Sequence, residues 1–275
     1  MSSRRRVLVD GTELVVTVEG DGPPVLVLHG FTGSAAAMEP LTEPIARSHR
    51  LIAPDMVGHG ESASPTHLAR YTVAAMGHQV LTIADALECR TFHLVGYSMG
   101  GRVALWVGCT APERLRSLSL IGATAGIADE AGRADRRAGD EARADSIESD
   151  LVTFVDEWMA NPLFAGQRTL GEGFLARSRA QRLASDARGL ANSLRGGGTG
   201  AMIPLHDRLH HCAVPTLLVV GEHDARFRAV AEDLDRVLPT SSVAVVPGAG
   251  HATHLEAAEA TAARVLDHIS RTDPA

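Results

Sequence analysis

Along this chain, short unbroken apolar runs alternate with longer stretches whose apolar positions recur at helical spacing. "PVLVLHG", "RLIAPD", "TFHLVGYS", "SLSLIGA", "PTLLVVGEHD" and "SVAVVPGAGH" are of the first kind, each ending in a polar or glycine-rich turn. Runs with no polar alternate position predict strands covered on both faces, as in a parallel sheet. Ahead of them, "RVLVD" and "ELVVTVEG" flank Gly11-Thr12 and predict an opening hairpin. Helices are predicted over Ala36–Ser48, Thr72–Cys89, Met99–Thr110, Ala225–Val237 and Leu255–Ser270. Strand–helix alternation joined by right-handed crossovers gives an α/β fold with a mostly parallel, doubly wound sheet.

The alternation breaks between "SLIGATAG" and "AVPTLLVV". Residues 129–195 hold no strand-like run and are rich in Ala, Arg, Glu and Asp, which predicts an inserted helical cap ending in a flexible "RGGGTG". The core is then 1–128 together with 196–275. Charge divides the insertion: ten acids and four arginines from Asp129 to Glu157, six arginines and two acids from Gly166 to Arg195. Most of these read as solvated helix faces.

Composition narrows the chemistry. The chain has 275 residues and a formal net charge of −7, which argues against a nucleic-acid partner and disfavours anionic ligands unless basic residues converge locally. It has no lysine, so Schiff-base and P-loop lysine chemistry are excluded. Cys89, Cys109 and Cys212 are odd in number and far apart, as suits free thiols in a reducing cytoplasm. The apolar stretch after "MSSRRR" is interrupted by Asp10, Gly11 and Glu13, unlike a signal peptide, and no run approaches a membrane span. A soluble, cytoplasmic protein without a membrane partner is expected. "HHC" at His210–Cys212 lacks metal-ligand spacing, so no metal is assigned there.

Four groups fall at the carboxyl ends of predicted strands, where ligands gather in such sheets. Gly96-Tyr97-Ser98-Met99-Gly100 is a complete GxSxG between a strand and a helix, the context that motif requires. Asp224 ends "LLVVGEHD" and His251 follows "VAVVPGAG", giving the order Ser, Asp, His. A serine hydroxyl is a weak nucleophile; a histidine takes its proton, and an aspartate fixes the imidazole tautomer and its charge. His254, three residues on, is the rival base, and His251 is preferred for its place in a glycine turn. Asp233 and Asp235 fall inside a predicted helix and are poor alternatives to Asp224. In "HGFTGS" the backbone N–H of Phe31, with that of Met99, is expected to form an oxyanion hole. "DMVGHGES" reads as a structural turn.

Together these segments resemble the α/β-hydrolase superfamily over nearly the whole chain. With "GYSMGGRVAL", "RADRRAGDEA", "FVDEWMANPLFA", "RLASDARGLANSLRGGGTG" and "GEHDARF" included, the sequence is similar to the MenH family, the 2-succinyl-6-hydroxy-2,4-cyclohexadiene-1-carboxylate synthases of menaquinone biosynthesis. The resemblance implies elimination of pyruvate from an enolpyruvyl cyclohexene bearing several carboxylates, with no metal or organic cofactor. It implies Ser98, Asp224 and His251 as the triad, Arg102, Arg136 and Arg182 as carboxylate-binding residues, and Trp158 as a cap aromatic. Met159 stands where some members have tyrosine. Two other readings remain open: a hydrolase of esters or carbon–carbon bonds with Ser98 or water as nucleophile, and a binding protein on an inactive scaffold.

Overall fold

In the computed structural model, which describes residues 2–273, the first two apolar segments form β1 (Ser3–Val9) and β2 (Thr12–Glu19), paired antiparallel. The turn is Asp10-Gly11 and not Gly11-Thr12. Both turn residues have positive φ, 46° and 78°, the geometry of a two-residue hairpin loop. Thr12 already pairs with Val9.

The chain continues through β3 (Pro24–Leu28), α1 (Glu39–Ala46), β4 (Arg50–Pro54), α2 (Val73–Ala86), β5 (Phe92–Tyr97), α3 (Met99–Thr110) and β6 (Leu115–Ile121). Four helices follow: α4 (Glu130–Ser149), α5 (Leu151–Ala160), α6 (Glu172–Leu183) and α7 (Ala187–Gly197). The sheet then resumes with β7 (Thr216–Gly221), α8 (Ala225–Asp235), β8 (Ser241–Val246), α9 (Thr253–Glu256) and α10 (Ala258–Ser270). The single helix expected over Leu255–Ser270 is interrupted at Ala257, whose φ of −144° and ψ of 61° are not helical.

The eight strands lie in the order β1-β2-β4-β3-β5-β6-β7-β8 and are parallel from β4 to β8. Alternate residues explain the unbroken apolar runs. Leu26 and Leu94 pack on one face beneath α2, α3 and α8, whereas Val25, Val27 and Val95 pack on the other beneath α1 and α10. From β3 to β7 neither face meets water, so no polar alternation is selected; β8, at the sheet edge, stays half-exposed. The strand order reverses between β3 and β5, which places the loops after these two strands side by side at a topological switch point.

The insertion has its own small core of Ala144, Ile147, Phe154, Val155, Leu190, Ala191 and Leu194. Three of its helices start at an aspartate, Asp129, Asp150 or Asp186, whose carboxylate accepts a first-turn N–H. Its uneven charge is spent between helices. Arg195 on α7 meets Glu141, Asp145 and Glu148 on α4 at 2.7, 2.8 and 2.9 Å. Arg179 on α6 meets Asp156 on α5 at 2.6 Å.

"RGGGTG" is not a flexible exit. It is helical through Gly197 and pressed against the core: a Cβ on Gly196 would lie 2.7 Å from the Leu68 carbonyl oxygen, and one on Gly197 2.6 Å from that of Tyr71. The glycines serve close backbone contact. Among the described residues, no helix is long and apolar enough to cross a membrane.

Candidate active site

Ser98 stands in the turn between β5 and α3 with φ 50° and ψ −104°. A residue with a side chain held there costs on the order of 1–3 kcal/mol, so the surroundings must impose it. They do so at both ends of the turn. The Ser98 N–H donates to the Ile121 carbonyl at 2.8 Å and the Gly100 N–H to the His29 carbonyl at 3.1 Å. A Cβ on Gly100 would lie 2.5 Å from the Leu28 carbonyl oxygen, so only glycine lets α3 start this close to β3.

His251 and Asp224 come from the loops after β8 and β7. The His251 Nδ1–H donates to Asp224 Oδ2 at 2.8 Å, and Nε2 lies 3.2 Å from Ser98 Oγ. Because the carboxylate accepts, Nδ1 carries the proton and Nε2 is left to receive one from serine. Asp224 has a second task. Its Oδ1 accepts the Phe227 N–H at 3.1 Å, capping α8 and fixing the plane of the carboxylate. Both side chains are buried, and Phe227 lies 4.4 Å from the imidazole, centroid to centroid. His254 makes no such chain. It is buried under Tyr97, its Nδ1 has no partner among the described residues, and burial pushes its pKa down to about 3.

The loop after β3 is held by His29. Its Nε2 accepts the Met56 N–H at 2.9 Å, so Nδ1 bears the proton and donates to the Gly30 carbonyl at 2.8 Å. Burial holds this imidazole neutral, with a pKa of about 4. The Gly33 N–H also donates to the Gly30 carbonyl, at 3.0 Å. Across a trans peptide, C=O and N–H point in opposite directions. With the Gly30 oxygen tied down, the Phe31 N–H therefore faces away from the His29 ring. Gly30 abuts the serine turn, since a Cβ there would lie 3.6 Å from Ser98 Cβ. Met99 is the first residue of α3, so its N–H has no acceptor within the helix.

These groups open into one cavity of about 410 Å³, the size of a small-molecule site. Arg102, Arg136, Trp158 and Arg182 line it beside the serine and histidine. Arg102 and Arg182 are buried, yet among the described residues neither forms an ion pair with a carboxylate. Arg102 donates to the Gly197 carbonyl at 2.6 Å, and burial next to Arg136 lowers its pKa to about 10. Arg182 holds Ser178 through Nη1, its Nε has no partner among the described residues, and burial lowers its pKa too. Arg136 is held through Nε by both oxygens of buried Asp140, at 2.9 and 3.0 Å, and its Nη atoms have no partner among the described residues. The Trp158 indole stands edge-on to Phe31 with centroids 5.4 Å apart, and its N–H is also unpartnered. Met159 packs in the core of the insertion and is not among the residues lining the cavity.

Sequence reasoning missed other lining residues: Tyr97, Gln167 and Arg226. Tyr97 was visible as the variable position of GxSxG. Arg226 follows Asp224 by two, but only the start of α8 shows that it turns toward the cavity mouth. Gln167 had no signal, because the segment Pro162–Leu170 is irregular, with non-helical dihedrals at Phe164.

A strained serine at a strand–helix turn, a histidine–aspartate pair from later loops and an eight-stranded, mostly parallel sheet define an α/β hydrolase fold. A family model of that fold matches residues 23–258. A Bacillus subtilis relative, provisionally named a 2-succinyl-6-hydroxy-2,4-cyclohexadiene-1-carboxylate synthase, is 40% identical over 250 residues, covering 90% of this chain and 91% of its own. The synthase of that name from Salmonella newport is 31% identical over 235 residues, 85% of this chain and 88% of its own. The solved structure of MenH from Staphylococcus aureus superposes with a TM-score of 0.88 at 29% identity, covering 94% of this chain and 98% of that one. The chain belongs to the MenH family of α/β hydrolases.

Proposed function

We propose that this protein is a carbon–oxygen lyase that eliminates pyruvate from 2-succinyl-5-enolpyruvyl-6-hydroxy-3-cyclohexene-1-carboxylate in menaquinone biosynthesis. One observation carries the reading: two buried guanidinium groups, without carboxylate partners among the described residues, face the same cavity as Ser98 and His251. Desolvating a cation without a counter-charge is costly, and a ligand carboxylate is the group that offsets it. In a protein of net charge −7, such a site is not a by-product of composition. Residues 129–195 act here as the cap that brings Arg136, Trp158 and Arg182 over the core.

The triad serves as base. Ser98 passes its proton to His251 Nε2 while taking one from a substrate carbon; the electron pair left behind forms the new ring double bond, the ring carbon–oxygen bond breaks, and pyruvate leaves as its enolate, which gains a proton on carbon as His251 gives its own up. Charge developing on oxygen is met by the Phe31 and Met99 N–H groups, and one such donor is typically worth about 10²–10³ in rate. Arg102, Arg136 and Arg182 hold carboxylates, with the Trp158 N–H as a further donor.

Incubation with the enolpyruvyl substrate should release pyruvate in equal amount to ring product, and mass spectrometry should find Ser98 unmodified during turnover. A substrate-derived acyl group on Ser98 would instead establish a hydrolase using Ser98 as nucleophile.

A further inference from the structure

The loop that presents His251 is short, glycine-containing and directly above the cavity, so something must hold it still. Its entry is anchored on the β7 side, where the His223 N–H donates to the Ala249 carbonyl at 2.8 Å. On its exit side a single carboxylate reaches back to the backbone flanking the histidine. Glu256, half-buried at the end of α9, turns its carboxylate back along the chain. Oε2 accepts the Gly250 N–H at 2.6 Å and Oε1 the Ala252 N–H at 3.3 Å. The two donors are the residues immediately before and after His251, so one rigid planar group spans the histidine.

The same carboxylate touches the cap. A Cβ on Gly166 would lie 2.1 Å from Glu256 Oε2, so any side chain at 166 would push the carboxylate from this position. Gly166 belongs to Pro162–Leu170, which also carries Gln167 and Phe164 into the cavity wall, with the Phe164 ring 6.4 Å from that of His251. The cap segment, the carboxylate and the histidine loop are therefore stacked in series.

We propose that Glu256 is a positioning residue: its carboxylate fixes the backbone on both sides of His251 and couples the seating of the cap segment Pro162–Leu170 to the aim of the imidazole. The proposal rests on His251 acting as the base. It requires no contact between Glu256 and substrate. Loss of the carboxylate should misplace the imidazole relative to Ser98 without weakening substrate binding, and a displacement of about 1 Å at a reacting group costs about 100-fold in rate.

The test uses the full chain and counts activity per folded molecule. Glu256→Ala should lower kcat about 10- to 100-fold while KM stays within about twofold. Glu256→Gln, which keeps an oxygen acceptor for the Gly250 N–H, should recover most of that loss. Gly166→Ala should reproduce it by displacing the carboxylate, and Gly166→Ala combined with Glu256→Ala should be no slower than the worse single variant. Glu259→Ala, on the exposed side of α10, should change nothing. A second readout needs no turnover: a downfield proton resonance of His251 Nδ1–H should be resolved in the wild type and should broaden in Glu256→Ala. If the enolpyruvyl substrate proves wrong, this resonance still decides. An unchanged resonance and kcat in Glu256→Ala, or losses that add in the double variant, overturns the proposal.

Discussion

Replacing Arg102 by methionine separates a residue kept for folding from one kept for binding. Its guanidinium is buried, and its pKa falls well below the ordinary arginine value, to about 10. At about 1.4 kcal/mol per tenfold change in proton affinity, that fall represents roughly 3 kcal/mol of destabilisation carried by the charge. By linkage, the unfolded chain binds this proton more tightly, so the cost is present throughout the neutral range and eases only as pH climbs above about 10. Against this, Arg102→Met gives up a charged hydrogen bond to the Gly197 carbonyl, worth about 1.5–3 kcal/mol. The two nearly cancel. The ligand-free variant should match the wild type or exceed it by up to about 2 kcal/mol in urea unfolding, a Tm rise of no more than roughly 6 °C. Its kcat/KM for the polyanionic substrate should fall about 10- to 150-fold, the rate equivalent of one lost charged hydrogen bond. Succinate or pyruvate at millimolar concentration should raise the Tm of the wild type and not of the variant. A loss of about 3 kcal/mol or more in the ligand-free variant is what removal of one partner from a buried ion pair costs, and would show that Arg102 is paired and structural.

Three further perturbations follow from the site. Ser98→Ala and His251→Ala should each abolish most activity and the double variant should be little worse, as for residues acting as one unit; an active His251→Ala beside a dead His254→Ala would move the base to His254. Arg136→Ala and Arg182→Ala should each cost about 1.5–3 kcal/mol in kcat/KM on the anionic substrate and little on a neutral ester, whereas equal losses on both would make these arginines structural. His29, His59 and His254 are buried and neutral, with pKa values of about 4, 3 and 3 against 6.5 when unfolded. Their contribution is complete above about pH 6.5 and is lost as pH falls towards these values, by up to about 4 kcal/mol per pH unit for the three together; urea unfolding at pH 7, 6 and 5 should show that decline, and a flat profile would mean that these imidazoles are protonated in the fold.

The core was legible because its central strands, β3 to β7, are covered on both faces, which leaves unbroken apolar runs, and because the candidate site sits where such runs end. Ser98, Asp224 and His251 lie one, three and five residues beyond the ends of β5, β7 and β8, so sequence position goes far to fix spatial position. The cap was legible only as helical. How Arg136 and Arg182 turn inward while Arg179 and Arg195 pair with neighbouring helices depends on interhelical packing that no local pattern encodes. "RGGGTG" misled for the same reason: glycine marks both mobile chain and close backbone contact, and only the presence of Leu68 and Tyr71 alongside selects the second. Glu256 left no signal, since its partners are backbone N–H groups, which every residue but proline possesses.

The cap leaves the sheet after β6 and returns before β7, and these strands are neighbours, with Leu118 opposite Thr216. Exit and entry stand side by side, so the core accepts a different insertion without a change in strand order. Such an exchange would nevertheless be incomplete here. Arg102 belongs to the core helix α3 but reaches the end of the cap through the Gly197 carbonyl. A chimaera bearing a lid suited to neutral esters would inherit a stranded cation at its floor. On the proposed reading, the groups that select a carboxylate substrate are divided between core and insertion, and exchanging the inserted helices would also call for a change at residue 102.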